Sequence, residues 1–263
     1  MTASIFENIP KMVGMIYAIL ALFILAYLFH KDKFDRKIGY LFLILSTLMG
    51  FLVFAPMFPN QLQVLLLGNV KQLGAPISLA ILGLVLFIIL TFVFGRIFCG
   101  YLCPIGALQE IVYLIPIKKL QIKNKTLPIV FRLIFFIAFV VFGVIFSIGI
   151  LGYFGFYDFF NLNITSIFFY TFLALLIVSI FVYRPFCRFF CPYGTLLSLA
   201  SIKCLFKLKR NDNCTDCGKC EKACPTSEAG REDLKQECYM CNRCKDVCPV
   251  NALKYVRYKG DEK

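Results

Sequence analysis

Thirteen cysteines lie in this chain of 263 residues, and twelve of them fall into two patterns with recognisable chemistry. Near the end of the chain Cys214-x2-Cys217-x2-Cys220-x3-Cys224-Pro225 is followed by Cys238-x2-Cys241-x2-Cys244-x3-Cys248-Pro249. Three thiolates at i, i+3 and i+6 in a tight loop cap three corners of an iron-sulfur cube, and the fourth corner needs a thiolate from elsewhere. In the bacterial two-cluster pattern the fourth Cys of each run ligates the other cluster. The expected ligand sets are therefore Cys214, Cys217, Cys220 and Cys248 for one [4Fe-4S] cluster, and Cys238, Cys241, Cys244 and Cys224 for the second. Zinc also uses Cys-x2-Cys pairs, but it closes on groups of four and has no use for a third evenly spaced Cys followed by Pro. A domain of about 60 residues has little apolar core, so its clusters are expected to hold it folded.

Four more cysteines recur as two pairs. At an offset of 88 residues, Arg96-Ile-Phe-Cys99-Gly-Tyr-Leu-Cys103-Pro104-Ile-Gly106-Ala-Leu108 aligns with Arg184-Pro-Phe-Cys187-Arg-Phe-Phe-Cys191-Pro192-Tyr-Gly194-Thr-Leu196. Proline costs about 3 kcal/mol inside a helix but suits its first turn. Pro104 and Pro192 are thus expected to start new helices after an elbow, with Cys103 and Cys191 at the N-cap, where the helix dipole favours thiolate. Brought together, Cys99, Cys103, Cys187 and Cys191 would be metal ligands of one intramembrane centre or iron-sulfur cluster, or redox-active dithiols. Spacing does not separate these, and packing of Cys in apolar helices is the bland alternative. A reducing cytoplasmic face argues against permanent disulfides. The thirteenth, Cys204, reads as a packing residue.

The elements that must position these thiols follow from composition. At 60% apolar residues, with 30 Phe and only 16% charged residues, the chain is too apolar for one soluble globule and too aromatic for disorder. Five segments approach the roughly 20 apolar residues needed to span a bilayer: Met12 to Phe29, Ile38 to Ala55, Ile77 to Phe98, Leu127 to Leu151, and Ile164 to Tyr183. Lys31, Lys33, Arg36 and Lys37 follow the first span; Lys118, Lys119, Lys123 and Lys125 follow the third; Arg184, Arg188, Lys203, Lys207, Lys209 and Arg210 follow the fifth. The opposite side offers only Lys11 and Lys71, so the basic loops are expected in the cytoplasm, with the N-terminus outside. The first apolar run is of span length and lacks a charged leader, which disfavours a cleaved signal peptide. The net charge of +13 is accounted for by these flanks, and nucleic acid is not expected as a partner.

The expected fold is an all-α polytopic membrane domain over residues 1–202, with about five transmembrane helices and a two-helix parallel repeat. Such a repeat has a natural pseudo-twofold axis along the membrane normal. A small α+β bacterial 2[4Fe-4S] ferredoxin domain over residues 203–263 follows it in the cytoplasm. The runs after Pro104 and Pro192 read as amphipathic helices lying in the interface, with Gln109 and Glu110 on the polar side. Lys219, Lys222, Arg243 and Lys245, in or beside the cluster loops, suggest a basic docking face for an acidic ferredoxin or flavodoxin.

Two Cys-x3-Cys-Pro elbows in a membrane domain, followed by a two-cluster ferredoxin, resemble the NapH-type membrane ferredoxins of periplasmic nitrate reductase systems. The layout is also similar to the C-terminal half of NosR-type proteins and the membrane core of CcoG-type proteins. The likeness extends from the second span to Pro249, and the double elbow is its distinguishing part. NapH-type proteins are generally drawn with four spans, so the first span here is additional. The resemblance implies electron passage between the quinone pool or a cytoplasmic donor and redox partners at or across the membrane, as a subunit of an oxidoreductase complex.

No Gly-x-Gly-x-x-Gly fingerprint or Cys-x-x-Cys-His haem site points to a self-contained enzyme. The other reading is a redox- or metal-sensing regulatory or assembly protein of NosR or CcoG type, including copper reduction. A quinone pocket has little support in the sequence. His30, the only histidine, reads as a solvated loop residue, and Asp158 as a polar cap at the start of a span.

Overall fold

The computed structural model describes residues 2–54, 57–68, 77–122 and 124–257. Ala55, Lys71 and Lys123, used above to place spans and orient the chain, lie outside the described residues, as do residues 258–263.

Helix α1 (Thr2–His30) is followed by α2 (Arg36–Val53), which starts behind Asp35, whose side chain accepts the Arg36 N–H. A short helix not anticipated from the sequence, α3 (Phe58–Leu66), has Pro in its first turn, and α4 (Ile77–Phe94) follows. The third span was expected to run to Phe98, but α4 ends four residues earlier because Gly95 turns left-handed at φ +76°. A π turn over Phe98–Leu102 leads into α5 (Pro104–Tyr113).

The second half repeats the order with α6 (Thr126–Ile145), a 3-10 turn over Ile150–Phe154, α7 (Phe156–Phe160) and α8 (Ile167–Phe181). A second π turn, Phe186–Phe190, leads into α9 (Pro192–Ile202). The repeat is thus longer than the sequence motif: helix, short helix, helix, π turn, short helix, with α1 outside it. π turns are rare and favour functional positions; here both fall on the Cys-x3-Cys segments.

Among the described residues three stretches are long and apolar enough to cross a membrane, Met12–His30, Arg36–Leu66 and Thr126–Ile145, and Ala80–Phe94 and Ile167–Phe181 are shorter apolar helices. Large apolar side chains face outward along them, among them Leu20, Leu41, Leu52 and Ile134, an arrangement that only a hydrocarbon solvent leaves stable.

The two halves interlock. Helix α5 packs on α2 and on α8 of the other half, while α9 packs on α4 and α6. This corrects the expectation of interfacial helices. Gln109 and Glu110 are buried in α5, and Thr195, Ser198 and Ser201 in α9, because each polar side faces partners inside the protein. Gly50 of α2 permits the approach, since a Cβ there would stand 2.7 Å from Pro104.

The ferredoxin domain is closed by one antiparallel pair, β1 (Phe206–Arg210) against β2 (Leu253–Arg257), in register from Phe206↔Arg257 to Arg210↔Leu253. Two short helices, α10 (Lys219–Ala223) and α11 (Arg243–Asp246), lie between the strands. The sheet abuts the end of α4, with Phe206 stacked on Phe94 and the Tyr255 hydroxyl donating to the Phe94 carbonyl at 2.8 Å. Ion pairs Arg36–Asp246, Lys245–Asp32 and Lys125–Asp233 tie it to the starts of α2 and α6 and to the turn after α1.

The ferredoxin domain also comes close at Gly100, in the first elbow, where an added Cβ would stand 2.3 Å from the Tyr239 carbonyl oxygen. Gly100→Ala is expected to unseat the ferredoxin domain, lowering the thermal midpoint and opening the segment between α9 and β1 to limited proteolysis. Gly152→Ala, which meets open space, should leave both unchanged.

Candidate iron-sulfur sites

Three cavities in the protein are each lined by four cysteines. The first is lined by Cys214, Cys217, Cys220 and Cys248, with Arg210 and Lys219 at its edge. The second is lined by Cys224, Cys238, Cys241 and Cys244, together with Tyr183 and Tyr239. The third is lined by Cys99, Cys103, Cys187 and Cys191, with Arg96, Pro59 and Tyr193. In each, the centre of a water-sized sphere ranges over about 20 Å³. The first two groupings match the crossed ferredoxin pattern, the fourth thiol of each run crossing to the other loop. These are donor sets and spaces of the kind a cube requires, so the residues present fit the group.

Local backbone explains why the loops curl around their cavities. Asp216 and Gly218 in the first loop, and Met240 and Asn242 at the same positions 24 residues on, are all left-handed, with φ between +49° and +68°. Interleaved with right-handed residues, such turns aim successive N–H groups inward, making a concavity suited to negative charge. The Lys219 N–H holds the exposed Cys217 thiol below its ordinary range, and the Ala252 N–H reaches Cys248 Sγ at 3.3 Å. Cys217 is exposed, whereas the second cavity is walled by Tyr183 from the end of α8. One site thus faces the surface and the other the membrane domain.

At the elbows, Cys103 and Cys191 are the N-caps of α5 and α9, and the Gly194 N–H reaches Cys191 Sγ at 3.1 Å. The dipole is not the governing effect there. Burial, reinforced by the neighbouring thiols, pushes both well above the ordinary thiol range.

Two buried carboxylates organise the junction. Glu110 accepts from Arg184 Nε at 2.8 Å and from Arg243; Glu237 pairs with Arg96 at 2.8 Å and Arg132 at 2.7 Å. Burial pushes the Glu237 carboxyl up, but Arg132 and Arg96 outweigh it and hold it below the ordinary carboxylate range; Arg184 and Arg243 do the same for Glu110. Glu228, buried and facing the charge of Glu237, is pushed up to about 7 and accepts the Glu237 N–H at 2.6 Å. Arg184 also donates to the carbonyls of Cys99 and Gly100, which offsets the strain of its left-handed φ of +46°.

Arg96 and Arg184 are equivalent in the repeat, but position 198 is Ser where position 110 is Glu. In the second half, Glu237 of the ferredoxin domain supplies the missing carboxylate, 3.5 Å from Ser198 Oγ. The domain therefore docks where the duplication is asymmetric. Its loop lies on the first elbow, with the Tyr101 hydroxyl donating to the Met240 carbonyl at 3.0 Å and Arg96 and Arg184 over the Tyr239 ring at 4.3 and 5.0 Å.

The four basic residues beside the cluster loops divide into two paired and two exposed. Arg243 and Lys245 turn to Glu110 and Asp32, leaving Lys219 and Lys222 exposed. His30 is exposed, its ring edge-on to Phe206 at 5.8 Å; Asp158 accepts from Ser166 Oγ at 2.7 Å beside the start of α8; Cys204 is buried beside β1. The sequence reading passed over Arg132, Glu237, Tyr239 and Pro59 of α3. Arg132 had a legible signal, a charge within an apolar span, which is a functional pointer by default. A larger cavity of about 230 Å³ lies beside Cys241, walled by Phe34, Tyr40, Leu43 and Leu114, with Arg243 and Glu110 inside it.

A family model described as a 4Fe-4S binding domain matches residues 78–123 and 167–211, the two elbow copies rather than the eight-cysteine ferredoxin. MJ0750 of Methanocaldococcus jannaschii is 37% identical over 202 residues, 73% of this chain and 82% of that protein. The chain belongs to a family of 4Fe-4S-binding membrane ferredoxins. MJ0749 of the same organism is 33% identical over 75% of this chain and 80% of its own. YccM of Escherichia coli, named for electron transport, is 31% identical over 59% of this chain and 48% of its own. No solved structure matches the chain.

Removing one partner of a buried ion pair typically costs about 3–5 kcal/mol, because the other charge is left uncompensated. Glu237→Gln, which strands Arg96 and Arg132, is expected to destabilise the protein by about that much in denaturant unfolding, whereas Glu232→Gln on the exposed loop should be within about 0.5 kcal/mol of the parent.

Proposed function

We propose that this protein is a membrane-embedded iron-sulfur electron carrier, relaying electrons between a cytoplasmic donor or the quinone pool and a redox partner in or across the membrane, as a subunit of an oxidoreductase complex. The observation that carries this reading is the series of four-cysteine cavities, the first open at Cys217 and the second sealed against the membrane domain. Cys214, Cys217, Cys220 and Cys248 would hold one [4Fe-4S] cluster, and Cys238, Cys241, Cys244 and Cys224 the other. When bound, such clusters take up and release single electrons.

The chain's own residues fix the carriers and keep water away. Tyr183, Tyr239 and Leu208 wall the second cavity, and Glu110 and Glu237 clamp its loop to the elbows. In this reading α1, α2, α4, α6 and α8 are five spans, the N-terminus is outside and the ferredoxin domain is in the cytoplasm. Lys219 and Lys222, exposed near Cys217, would receive an acidic ferredoxin or flavodoxin. Electron transport in the name of YccM supports the same reading.

The 230 Å³ cavity beside Cys241 suits a quinone ring: apolar walls from α2, buried charged groups within, and a cluster-loop thiol in its lining. Leu43→Trp should fill it. The expected result is at least about a tenfold slower reduction of the clusters by a quinol analogue, with iron content unchanged. An unaltered rate would remove quinone from the scheme. For the relay itself, reduced flavodoxin should bleach the cluster absorbance within seconds, and Cys217→Ser should slow this step; no bleaching in the fully loaded protein would defeat the carrier reading.

A further inference from the structure

We propose that Cys99 and Cys103 of one half, with Cys187 and Cys191 of the other, hold one iron-sulfur cluster of the four-iron class, shared across the repeat. The inference builds on the electron-carrier reading and adds a third centre, inside the membrane domain.

The space is the first ground. The elbow cavity matches the two ferredoxin cavities in volume and in its four lining thiols. Each elbow brings only two thiols, so a separate cluster on each copy would lack half its ligands, whereas the shared cavity supplies four. A single tetrahedral ion would draw its thiolates to about 2.3 Å. Such an ion brings no sulfide of its own, so acid-labile sulfide separates it from a cluster. A dithiol that exchanges with a substrate needs access, and these four are between 6 and 8% exposed.

Charge is the second ground. Arg96, Arg132, Arg184 and Arg188 are each 1% exposed, and the buried carboxylates facing them are Glu110 and Glu237. With Glu228 also buried near Arg96, the buried carboxylates remain fewer than the guanidiniums, and buried charge without a counter-charge costs several kcal/mol. A four-iron cluster with four thiolates carries two negative charges when oxidised, of the sign this surplus calls for. Arg96 lines the cavity and pairs through Nη1 with Glu237, while its Nε and Nη2 have no acceptor; Arg188, next to Cys187, also has an unpartnered Nε. Donors of this kind stabilise sulfur-borne charge and tune the potential.

Location is the third. Gly100, adjacent to Cys99, is in backbone contact with Tyr239, adjacent to Cys238. The new centre would therefore be one contact away from the loop that lines the second cavity. Helix α3 closes the far side through Pro59, with Phe58 packed on Phe98 and Tyr193.

The test is iron and acid-labile sulfide per chain on anaerobically purified full-length protein, with low-temperature EPR of the reduced form. The expected count is about 12 iron and 12 sulfide, falling to about 8 of each in Cys103→Ser/Cys191→Ser with the ferredoxin signals retained. Cys204→Ser, outside all three cavities, should keep about 12. About 8 iron in the parent protein, or an excess metal that is zinc without matching sulfide, overturns the proposal and leaves the two-cluster carrier intact. The parent count decides even if the double variant fails to fold. Loss of flavodoxin-driven bleaching with 12 iron present would instead strike the carrier reading alone.

Discussion

Two carboxylates, Glu110 and Glu237, each held between two guanidiniums, fix the relation between the membrane domain and the cluster loops. Arg184 orients the first elbow by its bonds to Glu110, Cys99 and Gly100, and Arg96 seats the ferredoxin domain through Glu237. These charges lie out of water, where an unpaired member would be costly, so the geometry tolerates little slack. Electron transfer benefits from that rigidity, because rates fall steeply with distance while a carrier that changes one charge at a time needs no large motion.

The molecule is built from two successive duplications. An 88-residue repeat makes the membrane domain, and a 24-residue repeat makes the ferredoxin, down to matching left-handed residues in its loops. In each, thiols from both copies line a common cavity. Symmetry fails at one place that matters: Ser198 leaves Arg96 without the carboxylate that Glu110 gives Arg184, and the ferredoxin domain fills the gap. One side of a pseudo-symmetric scaffold thereby becomes the docking side.

Much of this was legible in the chain. The eight ferredoxin cysteines could be grouped from spacing alone, since ligation by a tight loop is a local matter. The apolar helices followed from composition, and the breaks at Pro104 and Pro192 from proline's missing N–H. The reading erred where polarity was judged on one helix at a time. Gln109 and Glu110 looked like a wet face, but they meet Arg184, Arg243 and the Phe186 N–H inside the protein. Arg243 and Lys245 looked like a docking surface for the same reason. Helix α3 carried too short an apolar run to register as an element.

Sequence by itself determined the sulfur inventory, the lipid-facing composition and the two repeats, because each is written in residue type and short-range spacing. Tertiary structure decided which thiols share a cavity across the halves, which arginines balance which acids, and where the ferredoxin rests. The charge pairings join residues 74 to 141 positions apart in the chain, where no periodicity connects them. They arise from the need to neutralise buried charge once the helices have packed, and that need exists only in three dimensions.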